Sequence, residues 1–300
     1  MRRRFMGEKW KSEPLLVNLT NISSGFQPYT FEKGYRYADL LIVGGGGAGG
    51  TGEYDASPGG GGGSGLVVYL PNVILSKFPN KQFSYIIART SSGAGITTQL
   101  KIGDKYINAS GGEKGGTGPE GNGGNGASLI YNLADIISPY IKDVNAINQA
   151  SAGGGAGGHF DFIYATAYPG CSGGTLSAAG QRPNGSVGGI SVAIADGYGG
   201  FSGGTSKKQG GLGYKQNTNV IPLISKFRCG GSSGSGGNKT DWQSGGGGGA
   251  GGASNGGTGF SGFSGSSVGN GSFGSGGGGG TPSYPPGLGG QGIICIYYHN

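Results

Sequence analysis

Gly44, Gly46 and Gly49 suggest the most specific chemistry in this sequence. They follow the apolar run Leu40–Val43 in YADLLIVGGGGAGG, at the spacing of a turn that holds the pyrophosphate of a flavin or nicotinamide. That chemistry needs a helix after the turn, whose N-terminus meets the phosphates. It also needs a carboxylate about 20 residues further on for the ribose. Neither follows. Pro58 and the run Gly59–Gly63 come next, and inside a helix Gly costs about 1 kcal/mol and Pro about 3 kcal/mol relative to Ala. The following segment, GLVVYLPN, offers no carboxylate. A nucleotide-dependent enzyme is therefore the weakest of the functional readings, and no cofactor is expected.

Other reactive residues are sparse. His159 stands two residues before Asp161 in HFDF, with no nucleophile or third ligand in reach by sequence. His299 is penultimate, where a frayed and solvated end is expected. GGSGL, at 62–66, leads into a strand, whereas a nucleophile elbow needs a strand-to-helix turn. Cys171, Cys229 and Cys295 are widely spaced and odd in number. They read neither as a disulfide framework nor as a metal site. The expectation is a protein with no catalytic residues and no metal.

Binding is better provided for than catalysis. Tyr54, Phe160, Tyr168, Tyr214, Trp242 and Tyr284 lie among small polar residues. Exposed rings in such loops stack on sugars or anchor a protein receptor. Each ring has a second reading, in which it lies against glycine-rich backbone and shields it. Arg2, Arg3, Arg4, Lys9 and Lys11 form the densest basic cluster and are the candidates for attachment to an acidic surface. A solvated tail is the competing reading. The net charge is +7 without a basic stripe, so no nucleic-acid partner is expected. No apolar run approaches the roughly 18 residues of a membrane span. FMGEKWKSEP stands where a secretion signal would need an apolar core, so synthesis in a reducing cytosol is expected.

These residues sit in an unusual matrix. Of 300 residues 77 are glycine, about a quarter against a usual 7%. Collagen is excluded, because the glycines are not periodic and Pro numbers only 13. A flexible linker would carry few aromatics, yet Tyr alone contributes 16 residues. The remaining reading is glycine that folds because bare backbones can approach one another. Glycine accepts the left-handed threefold helix of polyproline II type, whose N–H and C=O groups all point outward. Such helices can lie side by side and bond to one another.

The side chains suggest how that matrix is anchored. Short β-branched and aromatic segments occur at Pro14–Ile22, Phe26–Phe31, Tyr37–Val43, Gly65–Ile74, Gln82–Thr90 and Thr97–Ala109, with Gly103-Asp104 as a hairpin turn. A last strand covers Ile293–Tyr298. Ile130, Leu133, Ile137, Ile141, Val144 and Ile147 recur at helical spacing about Pro139, which predicts two short helices. Ser128–Tyr131 is alternatively a strand. The expected fold is mainly β: an antiparallel β-sandwich base with polyglycine II-type helices and little α-helix. Residues 1–36 are expected to form an N-terminal attachment segment. Residues 37–300 form the domain: a β base over 37–110, a closing strand over 291–299 and a glycine-rich excursion over 111–290.

ADLLIVGGGGAGG, the second run with SGLVVYLPNV, and the terminal GGQGIICIYY together resemble the glycine-rich domains of bacteriophage fibre and tail-tip proteins. The long-tail-fibre adhesins of T-even-like phages are the best-understood of these, and MRRRFM is similar to starts found in crAss-like phages. The resemblance covers roughly 37–298 and is a likeness of pattern. It implies a virion fibre protein, assembled in the host cytoplasm and probing a host receptor or glycan with its loops. It further implies a homotrimer that contacts other virion proteins of the capsid or tail. No fibre shaft of heptads, β-helical repeats or collagen triplets is visible, so a short fibre or a tip is expected. Similar folds occur outside the membrane in receptors like anaplastic lymphoma kinase, which need secretion and disulfides. A cellular glycine-rich binding module is the alternative.

Overall fold

The computed structural model describes residues 10–52, 59–117, 122–151, 154, 159–161, 166–168, 192–193, 268, 270–280 and 284–300. Strands dominate: β1 (Leu15–Leu19), β2 (Gln27–Thr30), β3 (Tyr37–Val43), β4 (Val67–Ile74), β5 (Gln82–Ile86), β6 (Thr98–Ile102) and β7 (Lys105–Ala109). After the helix α1 (Leu133–Ile137) come β8 (Asn148–Ser151), β9 (His159–Asp161), β10 (Thr166–Tyr168), β11 (Val192–Ala193) and β12 (Ile293–His299). One sheet has the order β1-β12-β3-β4-β8-β11, a second β2-β5-β6-β7, and β9 pairs with β10 alone. All pairings are antiparallel.

The two larger sheets face each other as a sandwich. Leu40, Ile42, Val68, Leu70, Ile294 and Ile296 meet Phe83, Leu100, Ile102 and Ile107 between them. On the other face of the large sheet Leu41, Val43, Val67 and Cys295 are also buried. β3 and β12 are thus covered on both sides, which explains why Leu40–Val43 and Ile293–Ile296 show no polar alternation. Each fully buried aliphatic side chain contributes about 1.5–3 kcal/mol.

At Val43 the chain passes from strand into glycine without a turn. Gly44, Gly47 and Gly50 donate to the carbonyls of Leu66, Gly63 and Gly60 at 2.8–2.9 Å. Gly45 and Ala48 donate to Ile96 and Gly93, and Gly46 and Gly49 to Gly290 and Gly287. Successive N–H groups therefore point to three neighbours in rotation, the signature of a threefold extended helix. The carbonyls of Gly45 and Ala48 accept from Gly112 and Gly115, and those of Gly47 and Gly50 from Gly277 and Gly280. The helix over 44–52 is the axis of a polyglycine II lattice. Segments 59–66, 93–96, 110–116, 271–280 and 287–292 surround it, and 122–127 joins from outside through bonds to Gly61, Ser64, Glu113 and Gly116.

Among the described glycines only Gly34, Gly103 and Gly274 have positive φ. Most of the glycines in the lattice are required instead for their missing Cβ. A Cβ on Gly46, Gly47, Gly49 or Gly50 would lie 1.9 Å from the carbonyl oxygen of Ser275, Glu113, Gly278 or Gly116 respectively.

Two expectations change. In place of two helices there is one short helix, α1, running into a 3₁₀ turn Ser138–Tyr140 that contains Pro139, and a second turn Val144–Ala146. Leu133, Ile137 and Ile141 are the buried stripe, but the chain becomes strand β8 at Asn148. Ser128–Ile130 is irregular and not a strand. The segment set apart as 1–36 also contributes to the fold: β1 pairs with β12 and β2 with β5.

Candidate functional site

The strands give the molecule two ends. β3 and β4 meet the glycine lattice at Val43 and Val67, and their other termini, Tyr37 and Ile74, lie at the opposite end, here called the base. β12 arrives there at His299. Asn300 then ties the base together. Its Nδ2 donates to the carbonyls of Lys11 at 2.6 Å and Gly34 at 3.2 Å, and its Oδ1 accepts from the Arg36 N–H at 2.8 Å. The Lys11 N–H donates to the Gly34 carbonyl at 2.9 Å.

Trp10, residues 31–37, 74–76 and Lys81 line a cavity of about 340 Å³ at this end. Its apolar wall includes Phe31, Tyr35 and Leu75, all buried. Lys33, Arg36 and Lys81 stand around it, exposed, against the acid Glu32. Trp10, 42% exposed, forms part of the rim, and the Arg36 guanidinium carbon sits 4.3 Å from its ring centre. Lys11 lies 5.1 Å above the Tyr35 ring. Behind the wall, the Tyr298 and Tyr29 hydroxyls are 3.0 Å apart, and Tyr298 accepts from the Glu32 N–H at 3.3 Å. Burial pushes both phenols above their ordinary pKa.

Asp39 sits in the same end of the large sheet, 3% exposed. Its Oδ1 accepts from the Asn72 N–H at 2.8 Å and lies 3.2 Å from His299 Nε2; its Oδ2 accepts from Tyr69 at 3.3 Å. Burial first, and the Asp39 charge second, raise the Tyr69 pKa. This corrects the expectation for His299. It is not a frayed end but a strand residue, paired with Tyr37 and stacked on its ring at 6.0 Å. The cluster spans the irregularity between Ala38 and Leu40, and Asn72 adopts φ 52° to reach it. A buried carboxylate with three polar neighbours stabilises a local bulge. Among the described residues no group of three His, Cys, Asp or Glu side chains could hold a metal.

The glycine turn is committed elsewhere. The N–H groups of Gly44, Gly46 and Gly49, which would cradle a pyrophosphate, all bond to lattice carbonyls.

The residues singled out in sequence fall in three places. Lys11 is at the base, exposed. Tyr284 is half-buried, with its carbonyl close against Gly280 in the lattice. Phe160 and Tyr168 lie on the β9–β10 pair, opposite Ala167 and His159. Tyr54, Tyr214, Trp242, Arg2, Arg3, Arg4 and Lys9 lie outside the described residues. The structure thus joins Lys11 to Trp10, Tyr35 and Arg36, which the sequence reading did not select. A signal was present in EKWK and EKGYRY, two short segments that interleave cations with rings.

No protein-family model matches this chain, and no curated protein matches it.

Proposed function

We propose that this chain is a structural virion protein of a bacteriophage, a short fibre or fibre tip, and not an enzyme. The observation that carries the reading is the polarity of the fold: a sandwich whose strands pass directly into a cross-bonded glycine lattice. Every lattice helix braces its neighbours through backbone bonds, so the lattice suits mechanical stiffness and the display of loops. The base gathers Lys11, Arg36 and Trp10 at the other end and suits attachment to capsid or tail proteins. In this reading the end of the molecule that carries the lattice faces a host receptor or glycan, and three copies associate as a homotrimer.

The test is immunogold labelling of purified particles with antibody against the full chain, combined with light scattering of the purified protein. Gold at discrete points on the particle and a trimer mass support the reading. Particles that lack the chain refute it. A monomer that binds a soluble ligand would favour the cellular binding module.

A further inference from the structure

We propose that the cavity at the base is a docking site for an acidic peptide segment of a partner protein, one that presents a carboxylate beside an apolar side chain. That the partner is another virion protein rests on the function proposed above; the chemistry of the pocket does not.

Charge complementarity points to an acidic occupant. Lys33, Arg36 and Lys81 line the cavity with Glu32, and Lys11 and Glu13 line an adjoining hollow that shares Trp10 and Tyr35. Among the described residues none of these six takes part in an ion pair. Lys142, 5.9 Å from the Tyr37 ring centre, adds a further cation beside the lining residue Tyr37. Arg36 is the most specific of them. Its guanidinium carbon lies over the Trp10 ring, and among the described residues its side-chain N–H groups make no hydrogen bond. That N–H edge matches a carboxylate with two parallel bonds.

Size and wall define the rest. A cavity of about 340 Å³ is at the small end of ligand-sized clefts, which run from about 300 to 1,000 Å³. It holds one or two side chains, not a folded surface. Phe31, Tyr35 and Leu75 offer these an apolar seat. A nucleic acid presents phosphates at regular spacing and calls for a stripe of cations, whereas Lys33, Arg36 and Lys81 surround one cavity.

The test uses the full chain and a fluorescein-labelled pentapeptide, Glu-Asp-Phe-Glu-Asp, followed by anisotropy. The amide version, Gln-Asn-Phe-Gln-Asn, should bind at least about tenfold more weakly, as loss of charged hydrogen bonds implies. Arg36→Gln should weaken the acidic peptide about tenfold, and Arg36→Lys, which keeps the charge but loses the fork, by roughly threefold or more. Lys114→Gln, in the lattice, should change nothing. If Arg36→Gln does not fold, Lys81→Gln at the rim should still cost about threefold. Equal binding of the two peptides overturns the proposal, as does unchanged affinity in a folded Arg36→Gln. So does equally strong competition by a single-stranded oligonucleotide of matched charge, which would make the base a general polyanion surface. Particles that carry the chain while the peptide fails to bind would remove the pocket alone. Binding of the peptide by a chain absent from particles would remove the virion reading alone.

Discussion

Gly47→Ala should destabilise the protein by about 3–5 kcal/mol. The added Cβ would stand 1.9 Å from the Glu113 carbonyl oxygen and 2.4 Å from its carbon. Both are backbone atoms, so no rotamer can relieve the clash. Segment 110–116 must recede by at least about 1.1 Å to restore even a tight 3.0 Å contact. That segment bonds the axis helix through Gly112 to Gly45 at 3.0 Å and Gly115 to Ala48 at 2.9 Å, and it accepts from Gly63 at 2.9 Å through Glu113. A retreat of that size carries these donors and acceptors out of hydrogen-bond range. Three bonds at about 1 kcal/mol each, with the strain of overpacking, give the stated range. Thermal unfolding followed by circular dichroism should show a midpoint lower by on the order of 5–10 °C. Gly25→Ala is the control, since nothing lies within 4 Å of its added Cβ. A Gly47→Ala protein within 1 kcal/mol of wild type would refute the close-packed lattice.

Three phenols give a pH dependence. Tyr69, Tyr298 and Tyr29 all have pKa values raised in the folded state, chiefly by burial. Unfolded tyrosine releases its proton near pH 10 while the folded protein retains it. Stability is therefore full below about pH 10 and falls above it, by at most about 1.4 kcal/mol per pH unit for each of the buried pair Tyr69 and Tyr298. Urea midpoints between pH 9 and 11.5 should show the fall, and Tyr69→Phe should make it shallower; a flat profile would contradict it. Removal of His299 and Asn300 deletes the Asp39 contact and the ties to Lys11, Gly34 and Arg36. It should cost about 2–4 kcal/mol in urea unfolding, and an unaltered midpoint would show that the end is dispensable.

Much of the sandwich was legible because its strands are short, apolar and bounded by turns. Leu40–Val43 and Ile293–Tyr298 read as strands from their apolar, β-branched residues, and the structure adds that both faces are covered. Gly103-Asp104 sits in the hairpin between β6 and β7 where the pattern placed it. The dinucleotide turn was rejected on Pro58 and Gly59–Gly63, and the lattice bonds at Gly44, Gly46 and Gly49 give the physical reason those glycines are there. Which glycine segments are neighbours was not legible, since glycine carries no side chain to encode a partner. The helical reading over 127–150 held for Leu133–Tyr140 but not beyond, because periodicity continued through Ile147 while Asn148–Ser151 pairs as β8 with β4. His299 was misjudged from its position in the chain, because its partner Asp39 is 260 residues away. The base cavity has the same origin: Trp10, residues 31–37, 74–76 and Lys81 meet only after the sheets close.

The lattice and the sandwich must stand or fall together. Ordering a residue's backbone costs about 1–2 kcal/mol, and most for glycine, while a backbone hydrogen bond returns about 1 kcal/mol net. A lattice residue with one such bond and no side chain to bury does not cover its own entropy. The difference comes from the apolar strands that enter and leave it. Leu66, Val67 and Val43 adjoin the lattice directly and are buried. Weakening the sandwich far from any glycine should therefore loosen the lattice by the same amount. Leu100 lies in β6 between the sheets, fully buried, and Leu100→Ala should cost about 2–5 kcal/mol. The free energy of amide exchange at Gly47, Gly50 and Gly63 should drop by that same value, since these amides open only with the whole unit. Exchange at those glycines that stays as slow as in the wild type, while the core of β6 is weakened, would mean that the lattice holds itself up. The coupling argued here, in which side chains supply what glycine lacks, would then be wrong.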